Sequence, residues 1–175
     1  MQKKIYIFRG SPASGKGTIT EEFIKQLDGK IAFLELDNFR WGFHLKNRVV
    51  ADIGQKEHLL AYKNFLSVLE NYLSDGSYTL VIEGLFSWRV AGPHGNMQDI
   101  ISLATKYNYN YYPILLYADF ETLWNRNLQR DYSVPIDEFK QLYSYVMDAQ
   151  SEEEIKINVD DKSVQESVDI LSQYI

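Results

Sequence analysis

The chain has 175 residues, 45% hydrophobic and 14% aromatic, enough apolar material for one real core and too much for a disordered chain. It contains no cysteine, which excludes disulfides, zinc-thiolate sites and thiol nucleophiles. Its 18 basic and 24 acidic residues leave a net charge of −6, which argues against a broad nucleic-acid surface and leaves room only for a narrow basic groove.

The predicted elements alternate between strand and helix along the chain. Met1-Gln2-Lys3-Lys4 leads straight into an apolar run, Lys4–Phe8, which reads as a first strand and is too short for a signal-peptide core. Ile19, Phe23 and Leu27 then share a helical face. A second strand is expected at Ile31–Leu36. A long helix follows, with Leu59, Tyr62, Leu66, Leu69 and Leu73 on one side. Thr79–Ile82 is a third strand and Met97–Lys106 a weaker helix. Tyr112–Tyr117 is a fourth strand, and Phe120, Leu123, Trp124 and Leu128 mark the helix after it. Phe139, Leu142 and Val146 mark another. A fifth strand at Ile155–Val159 and a helix through Val164, Val168 and Leu171 close the chain. Helices between consecutive strands are the rhythm of a parallel α/β sheet. Without a repeat, a low-complexity tract or a long linker, residues 1–175 read as one domain. The acidic run Ser151–Glu154 reads as a solvated loop. Since no apolar run approaches about 18 residues, no membrane partner is expected and the protein should be soluble and cytoplasmic.

The first strand runs into Gly10-Ser11-Pro12-Ala13-Ser14-Gly15-Lys16-Gly17-Thr18. The spacing G-x-x-x-x-G-K arises by chance in roughly one chain in twenty of this length. Its setting, between an apolar run and an amphipathic helix, is the one a phosphate-binding loop requires. Backbone N–H groups of residues 11 to 17 would wrap a phosphate at the positive end of the new helix. Gly10 and Gly15 allow the close approach such a nest needs, and Lys16 reaches the outer phosphates. The plain alternative is a glycine-rich turn with a solvated lysine.

Gly10–Thr18 resembles the loop of the P-loop kinases, and the form G-K-G-T resembles adenylate and cytidylate kinases in particular. That resemblance implies a three-layer fold with a five-stranded parallel sheet of order 2-3-1-4-5, an ATP donor and Mg²⁺. It implies nucleotide contacts from Gly10, Ser11, Ala13, Ser14, Gly15, Lys16, Gly17 and Thr18. Gly17 stands where most P-loop proteins carry a metal-binding hydroxyl. By resemblance, Thr18 binds phosphate, and the metal is held mainly by nucleotide, water and an acid from another strand.

Asp37-Asn38-Phe39-Arg40 closes the second predicted strand, facing the crevice where such sheets bind ligands. A carboxylate there can take the proton of an acceptor hydroxyl, and Arg40 can fork an acceptor anion. The alternative is a helix- or turn-capping aspartate beside a surface arginine. D-x-x-R in this slot resembles the polynucleotide 5′-kinase, zeta-toxin and adenylyl-sulfate kinase branches. The longer D-N-x-R-x-G string also resembles the last of these, although Gly17 departs from it. A nucleoside monophosphate acceptor needs no base, so Asp37 tilts the expectation towards a hydroxyl.

Glu83 follows the third strand, where P-loop proteins place a second acid that supports Mg²⁺ directly or through water. The alternative is a strand-end glutamate in a salt bridge. Arg89 is a weaker acceptor candidate, two residues further from Gly84 than in the adenylate kinase pattern, and Lys46 and Arg48 are weaker still. Arg126 and Arg130 lie four apart and therefore on one helical face. They precede a very short lid and Val134-Pro135, which resembles the R-x-x-x-R lid of these kinases and would stabilise charge on the transferring group. His44, His58 and His94 show no metal-ligand spacing. The tyrosines of 107–113 read as packing residues rather than base-stacking ones.

The expectation is thus an ATP-dependent kinase with a small nucleoside- or nucleotide-like acceptor. Lys16, Asp37, Arg126 and Arg130 would be catalytic, Asp37, Arg40 and Arg89 would bind the acceptor, and Thr18 and Glu83 would serve the metal. Alternatives are phosphorylation of a nucleoside monophosphate, a 5′ end of nucleic acid (which the charge disfavours), and a nucleotide-binding regulatory module with little catalysis. The absence of an N-K-x-D base-reading motif speaks against a switch.

Overall fold

A computed structural model describes residues 3–43, 54–89 and 94–175; His44, Lys46 and Arg48 lie outside them. In chain order the elements are β1 (Lys4–Gly10), α1 (Lys16–Ile24), β2 (Ile31–Glu35), α2 (Leu36–Trp41), α3 (Gln55–Asp75), β3 (Thr79–Gly84), α4 (Met97–Lys106), β4 (Asn110–Tyr117), α5 (Phe120–Leu128), α6 (Ile136–Met147), β5 (Ile155–Asn158) and α7 (Val164–Leu171). The strands form one sheet of order β2-β3-β1-β4-β5, with every pairing parallel. This is the expected order.

β1 is central because both of its faces are apolar, as a doubly covered parallel strand requires. Alternation sends Ile5 and Ile7 to one side, where they meet Phe65, Leu69, Leu73, Ile100 and Ala104 of α3 and α4. Tyr6 and Phe8 go to the other side, against Phe23 of α1, Leu123 of α5, Phe139 of α6 and Val168 of α7. Tyr112 stacks on Tyr6 with ring centroids 5.1 Å apart, so this tyrosine of the 107–113 run packs as expected. Along α3 the buried positions are Ala61, Tyr62, Phe65, Leu69 and Leu73. Leu59, expected on that face, is exposed, and Phe65 takes a central place. A long, evenly apolar run leaves the exact face ambiguous until a partner surface fixes it.

Three boundaries differ from expectation with consequences for the site. The third strand runs on to Gly84, so Glu83 lies within it rather than after it, paired in register with Glu35. The second strand ends at Glu35, and Leu36 opens the six-residue α2, so Asp37 lies in the first turn of a helix rather than on the strand. Likewise α5 ends at Leu128, and Arg130 lies in the turn beyond it. The two arginines therefore do not share one helix face. The short lid segment is held by Asn127, fully buried, whose Nδ2 donates to the Val134 carbonyl at 2.9 Å while its Oδ1 accepts from Val134 N–H at 3.0 Å.

The acidic run before β5 is also not simply solvated. Glu154 is buried and pairs with Arg9, which has no exposed surface at all. Arg9 Nη2 donates to Glu154 Oε2 at 2.9 Å, and the guanidinium also donates to the carbonyls of Phe86, Val146 and Ala149. One side chain thus ties the sheet centre to the segment after β3 and the end of α6. Burial alone would raise the Glu154 pKa, but the hydrogen bonds and charge of Arg9 outweigh it and hold the carboxyl below its ordinary value.

Breaking a buried pair leaves an uncompensated charge inside. Arg9→Ala is therefore expected to lower unfolding free energy by about 3–5 kcal/mol in urea titrations at neutral pH. Because the folded-state pKa of Glu154 is depressed, the pair's contribution is complete above the ordinary glutamate value and fades as pH falls through the depressed one. The gap between wild type and variant should narrow under acid.

Candidate active site

The phosphate loop connects β1 to α1. Gly10 packs so closely that a Cβ there would lie 2.5 Å from the Leu116 carbonyl oxygen and 2.7 Å from Ser14 Oγ. Ser14 N–H donates back to the Ser11 carbonyl at 3.3 Å, Ala13 has φ 63° and Gly15 has φ 79°. Left-handed residues on either side of Ser14 curl the backbone into a nest, with the α1 N-terminus behind it. Pro12, Ala13, Gly15, Lys16, Gly17 and Thr18 line a cleft of about 530 Å³. Gly10, Ser11 and Ser14 do not line it; they shape the loop from beneath. The Ser11 and Ser14 hydroxyls are buried without a hydrogen-bond partner.

The same cleft is lined by Glu35, Asp37 and Arg40 from β2 and α2, by Glu83 from β3, and by Arg126 and Arg130 from α5 and the turn after it. These elements come together because the carboxyl ends of β1, β2 and β3 open at one edge of the sheet, beside the point where the chain's winding reverses. Glu35 and Glu83 are register partners on adjacent strands, an arrangement in which like charges repel. Lys16 answers it. Its ammonium rests on the Ser11 carbonyl at 3.1 Å and feels the charges of Glu83, Asp37 and Glu35. Desolvation in the cleft lowers the lysine's pKa, and the three carboxylates oppose that shift. Glu35 was not singled out in the sequence; the signal was available only in its pairing with Glu83.

Glu83 is 6% exposed and its Oε2 is unpartnered. Thr20 lies beside it, but its hydroxyl is also without a well-formed hydrogen bond. Desolvation pushes the Glu83 pKa up to about 7, with Glu35 and Asp37 adding to the shift and Lys16 opposing it.

Arg40 is 4% exposed and donates through Nη1 to Asp37 Oδ1 at 2.5 Å, within one turn of α2. Its Nη2 lies 3.4 Å from Nδ1 of His94. His94 packs edge-on against His58 and Tyr145, with ring centroids 5.1 and 5.3 Å away. The two histidines, 36 positions apart in sequence, thus meet in the cleft beside the Asp37–Arg40 pair. No spacing rule could have found this, because the loop after β3 brings His94 back over α3.

Arg126 lines the cleft, but its Nη2 donates to the carbonyls of Val159 and Asp160 at 2.8 and 3.0 Å. Arg130 is exposed and close enough to Lys16 to lower its pKa. Arg89 is placed elsewhere. Its guanidinium pairs with Asp148 at 2.8 Å on the surface, and it does not line the cleft. The extra residues between Gly84 and Arg89 carry it past the site. Among the described residues no group of three or more histidine and acidic side chains is arranged to hold a metal unaided, and no helix is long and apolar enough to cross a membrane.

No protein-family model matches the sequence, and a search of curated proteins finds no match. Solved structures do match. A putative kinase from Chloroflexus aurantiacus is similar with a TM-score of 0.67 and 16% identity, over 99% of this chain and 97% of that one. Shikimate kinase from Aquifex aeolicus matches with a TM-score of 0.61 and 16% identity, over 97% and 94%. An APS kinase from Mycobacterium tuberculosis, solved with AMPPNP and APS, matches with a TM-score of 0.60 and 15% identity, over 97% and 98%. The chain has the fold of the P-loop kinases, along nearly its whole length.

The raised Glu83 pKa has a measurable effect on stability. The folded state holds this proton more tightly than the unfolded chain, so the contribution of Glu83 to ligand-free stability is expected to decline as pH rises from 4.5 to about 7 and to be level above. Glu83→Gln removes that decline. Its stability advantage over wild type should grow between about pH 5 and pH 8, by on the order of 2–3 kcal/mol. Urea unfolding at both ends of that range checks it, and a difference independent of pH would mean that Glu83 titrates normally.

Proposed function

We propose that the chain is an ATP- and Mg²⁺-dependent phosphotransferase that moves the γ-phosphoryl group to a hydroxyl of a small acceptor, nucleoside- or nucleotide-like. The observation that carries this is the meeting, in one cleft, of the phosphate loop and Lys16 with Asp37, Glu83 and Arg130. A mere nucleotide-binding module has no need of a carboxylate and an arginine on the side of the loop where an acceptor enters. The shared fold supports the reading, as do neighbours described as shikimate, APS and sugar kinases.

In this scheme the loop N–H groups and Lys16 hold the donor phosphates. Asp37 stands at the acceptor side with one oxygen tied to Arg40 and takes the hydroxyl proton as the acceptor attacks. Arg130, exposed at the cleft edge, is free to close on the transferring group, where negative charge spreads over the equatorial oxygens. Arg126, held on the carbonyls after β5, fixes the wall beside the donor and reaches the phosphates only by releasing them.

The residues present suit a hard cation. The buried, unpartnered oxygen of Glu83 and the exposed hydroxyl of Thr18 are oxygen donors on the cleft wall. With no complete protein shell among the described residues, nucleotide oxygens and water would supply the remaining ligands. A hard cation held by Glu83 and Thr18 would supply positive charge against the negative charge of the phosphates. Gly17 leaves open space, since a Cβ would meet nothing within 4 Å. Its missing hydroxyl is thus not a steric requirement.

An acceptor screen reading ADP formation from Mg-ATP over nucleosides, nucleotides, oligonucleotide ends, aminoglycosides and small alcohols tests the activity. Lys16→Ala should reduce turnover by about a hundredfold or more. Asp37→Asn should cut kcat by about 10²–10⁴ with ATP binding intact. A small loss in that variant would instead favour a phosphate acceptor, and failure of the wild type to bind Mg-ATP would sink the scheme. Arg130→Ala should lower kcat about tenfold or more without loss of stability.

A further inference from the structure

We propose that His94 is a positioning residue for Asp37, acting through Arg40. This rests on the reading of Asp37 as the acceptor-side base. The chain of contacts is Asp37 Oδ1 to Arg40 Nη1 at 2.5 Å and Arg40 Nη2 to His94 Nδ1 at 3.4 Å. Among the described residues no group bonds Asp37 Oδ2, which is left for the acceptor proton.

Chemistry fixes the roles along this line. A guanidinium has donors and no acceptor, so Nδ1 of His94 must present its lone pair and the ring must carry its proton on Nε2. A protonated His94 would offer only N–H groups to a cation and would push Arg40 away. Among the described residues, the charged or titratable groups around the ring are Arg40 and Asp37 from α2, His58 from α3 and Tyr145 from α6. Burial, then Arg40 and His58, lower the His94 pKa to about 4, against the pull of Asp37. The ring is therefore neutral wherever the enzyme would work.

The loop carrying His94 is itself clamped. Tyr145 Oη donates to the Gly95 carbonyl at 2.9 Å, Tyr62 Oη donates to the Asn96 carbonyl at 2.8 Å, and Ser87 N–H donates to the Gly95 carbonyl at 3.1 Å. An i,i+3 pair on a short helix is by itself a weak and mobile contact. Arg40 at 4% exposure, backed by an imidazole on an anchored loop, is not. The device does for a carboxylate what a third group does for a base in a triad: it selects one orientation and leaves one oxygen free.

The test uses the full chain labelled with ¹⁵N. With only three histidines, His44→Gln and His58→Gln suffice to assign the imidazole signals. In wild type, His94 should be the Nε2–H tautomer and stay neutral down to about pH 5, and Arg40→Ala should release that tautomer preference. The Arg40 guanidinium should give resolved Nη signals in wild type, averaged ones in His94→Leu, and resolved ones again in His94→Asn, whose carbonyl restores an acceptor. In the acceptor screen, His94→Leu should lower turnover about tenfold with the KM for ATP unchanged, and His94→Asn should recover to within about threefold. A His94 with its proton on Nδ1, or Arg40 signals indifferent to His94→Leu, would overturn the assignment. A wild type inactive towards every acceptor counts against the kinase reading alone, since the spectra decide the positioning independently.

Discussion

The arrangement depends on one cation set among three carboxylates. Parallel pairing puts Glu35 and Glu83 level with each other on adjacent strands, and α2 adds Asp37 at the same edge. Without Lys16 this edge would repel itself in a partly desolvated cleft. With it, the ammonium is held against the loop carbonyl of Ser11, and its charge is felt by Glu35 and Glu83 on the sheet and by Asp37 on α2. The site is thus neither stably paired nor open. A bound polyphosphate would draw Lys16 away, and a cation arriving with that phosphate would take over its place before the acids. In the phosphotransferase proposed above, donor and metal would then enter together for an electrostatic reason, each relieving the charge that the other exposes.

The scaffold beneath explains why such a strained edge can be held. β1 is buried on both faces, and its last side chain before the loop is Arg9, bonded to three carbonyls and to Glu154. That fixes the strand end from which the loop springs. Gly10, with a carbonyl and a hydroxyl in contact distance of any side chain there, lets the loop turn at once. On the lid side, Asn127 makes a two-bond clasp with Val134, so the segment carrying Arg130 is short and anchored at its far end. In the proposed enzyme, water exclusion would then come from small movements of that segment rather than from a separate lid domain.

Much of this was legible in the sequence because it is local. The order of strands and helices follows from periodicity, and the loop follows from glycines whose spacing the backbone itself requires. Met97–Lys106 was recovered to the residue. What was not legible is pairing over distance. Arg9 looks like any strand-end arginine until Glu154 closes on it, and Glu154 looked solvated because acidic runs usually are. Arg89 counted as a cleft candidate because a residue number cannot show that Asp148 waits 59 positions later. The boundary errors are of another kind: Leu36 continues an apolar strand pattern, and only the helical turn that brings Arg40 back to Asp37 shows where the strand stops.

The two sides of the cleft differ in how they hold their charged groups. In the proposed scheme the donor side would use backbone: loop N–H groups, the α1 N-terminus, and the carbonyls on which Lys16 and Arg126 rest. Carbonyl contacts are modest and easily exchanged for charge-assisted ones, so in that scheme Lys16 and Arg126 would turn to phosphate at little cost. The acceptor side uses side chains on side chains, Asp37 on Arg40 on His94, with His58 and Tyr145 packed behind. Such a line is rigid only while every member keeps its protonation state and its place. Under the proposed scheme donor binding would tolerate local change, whereas Asp37 would be oriented by Arg40 on its own helix and by His94 from beyond β3. In the proposed scheme, selectivity for an acceptor would then depend on Arg40 and His94 together rather than on any single motif.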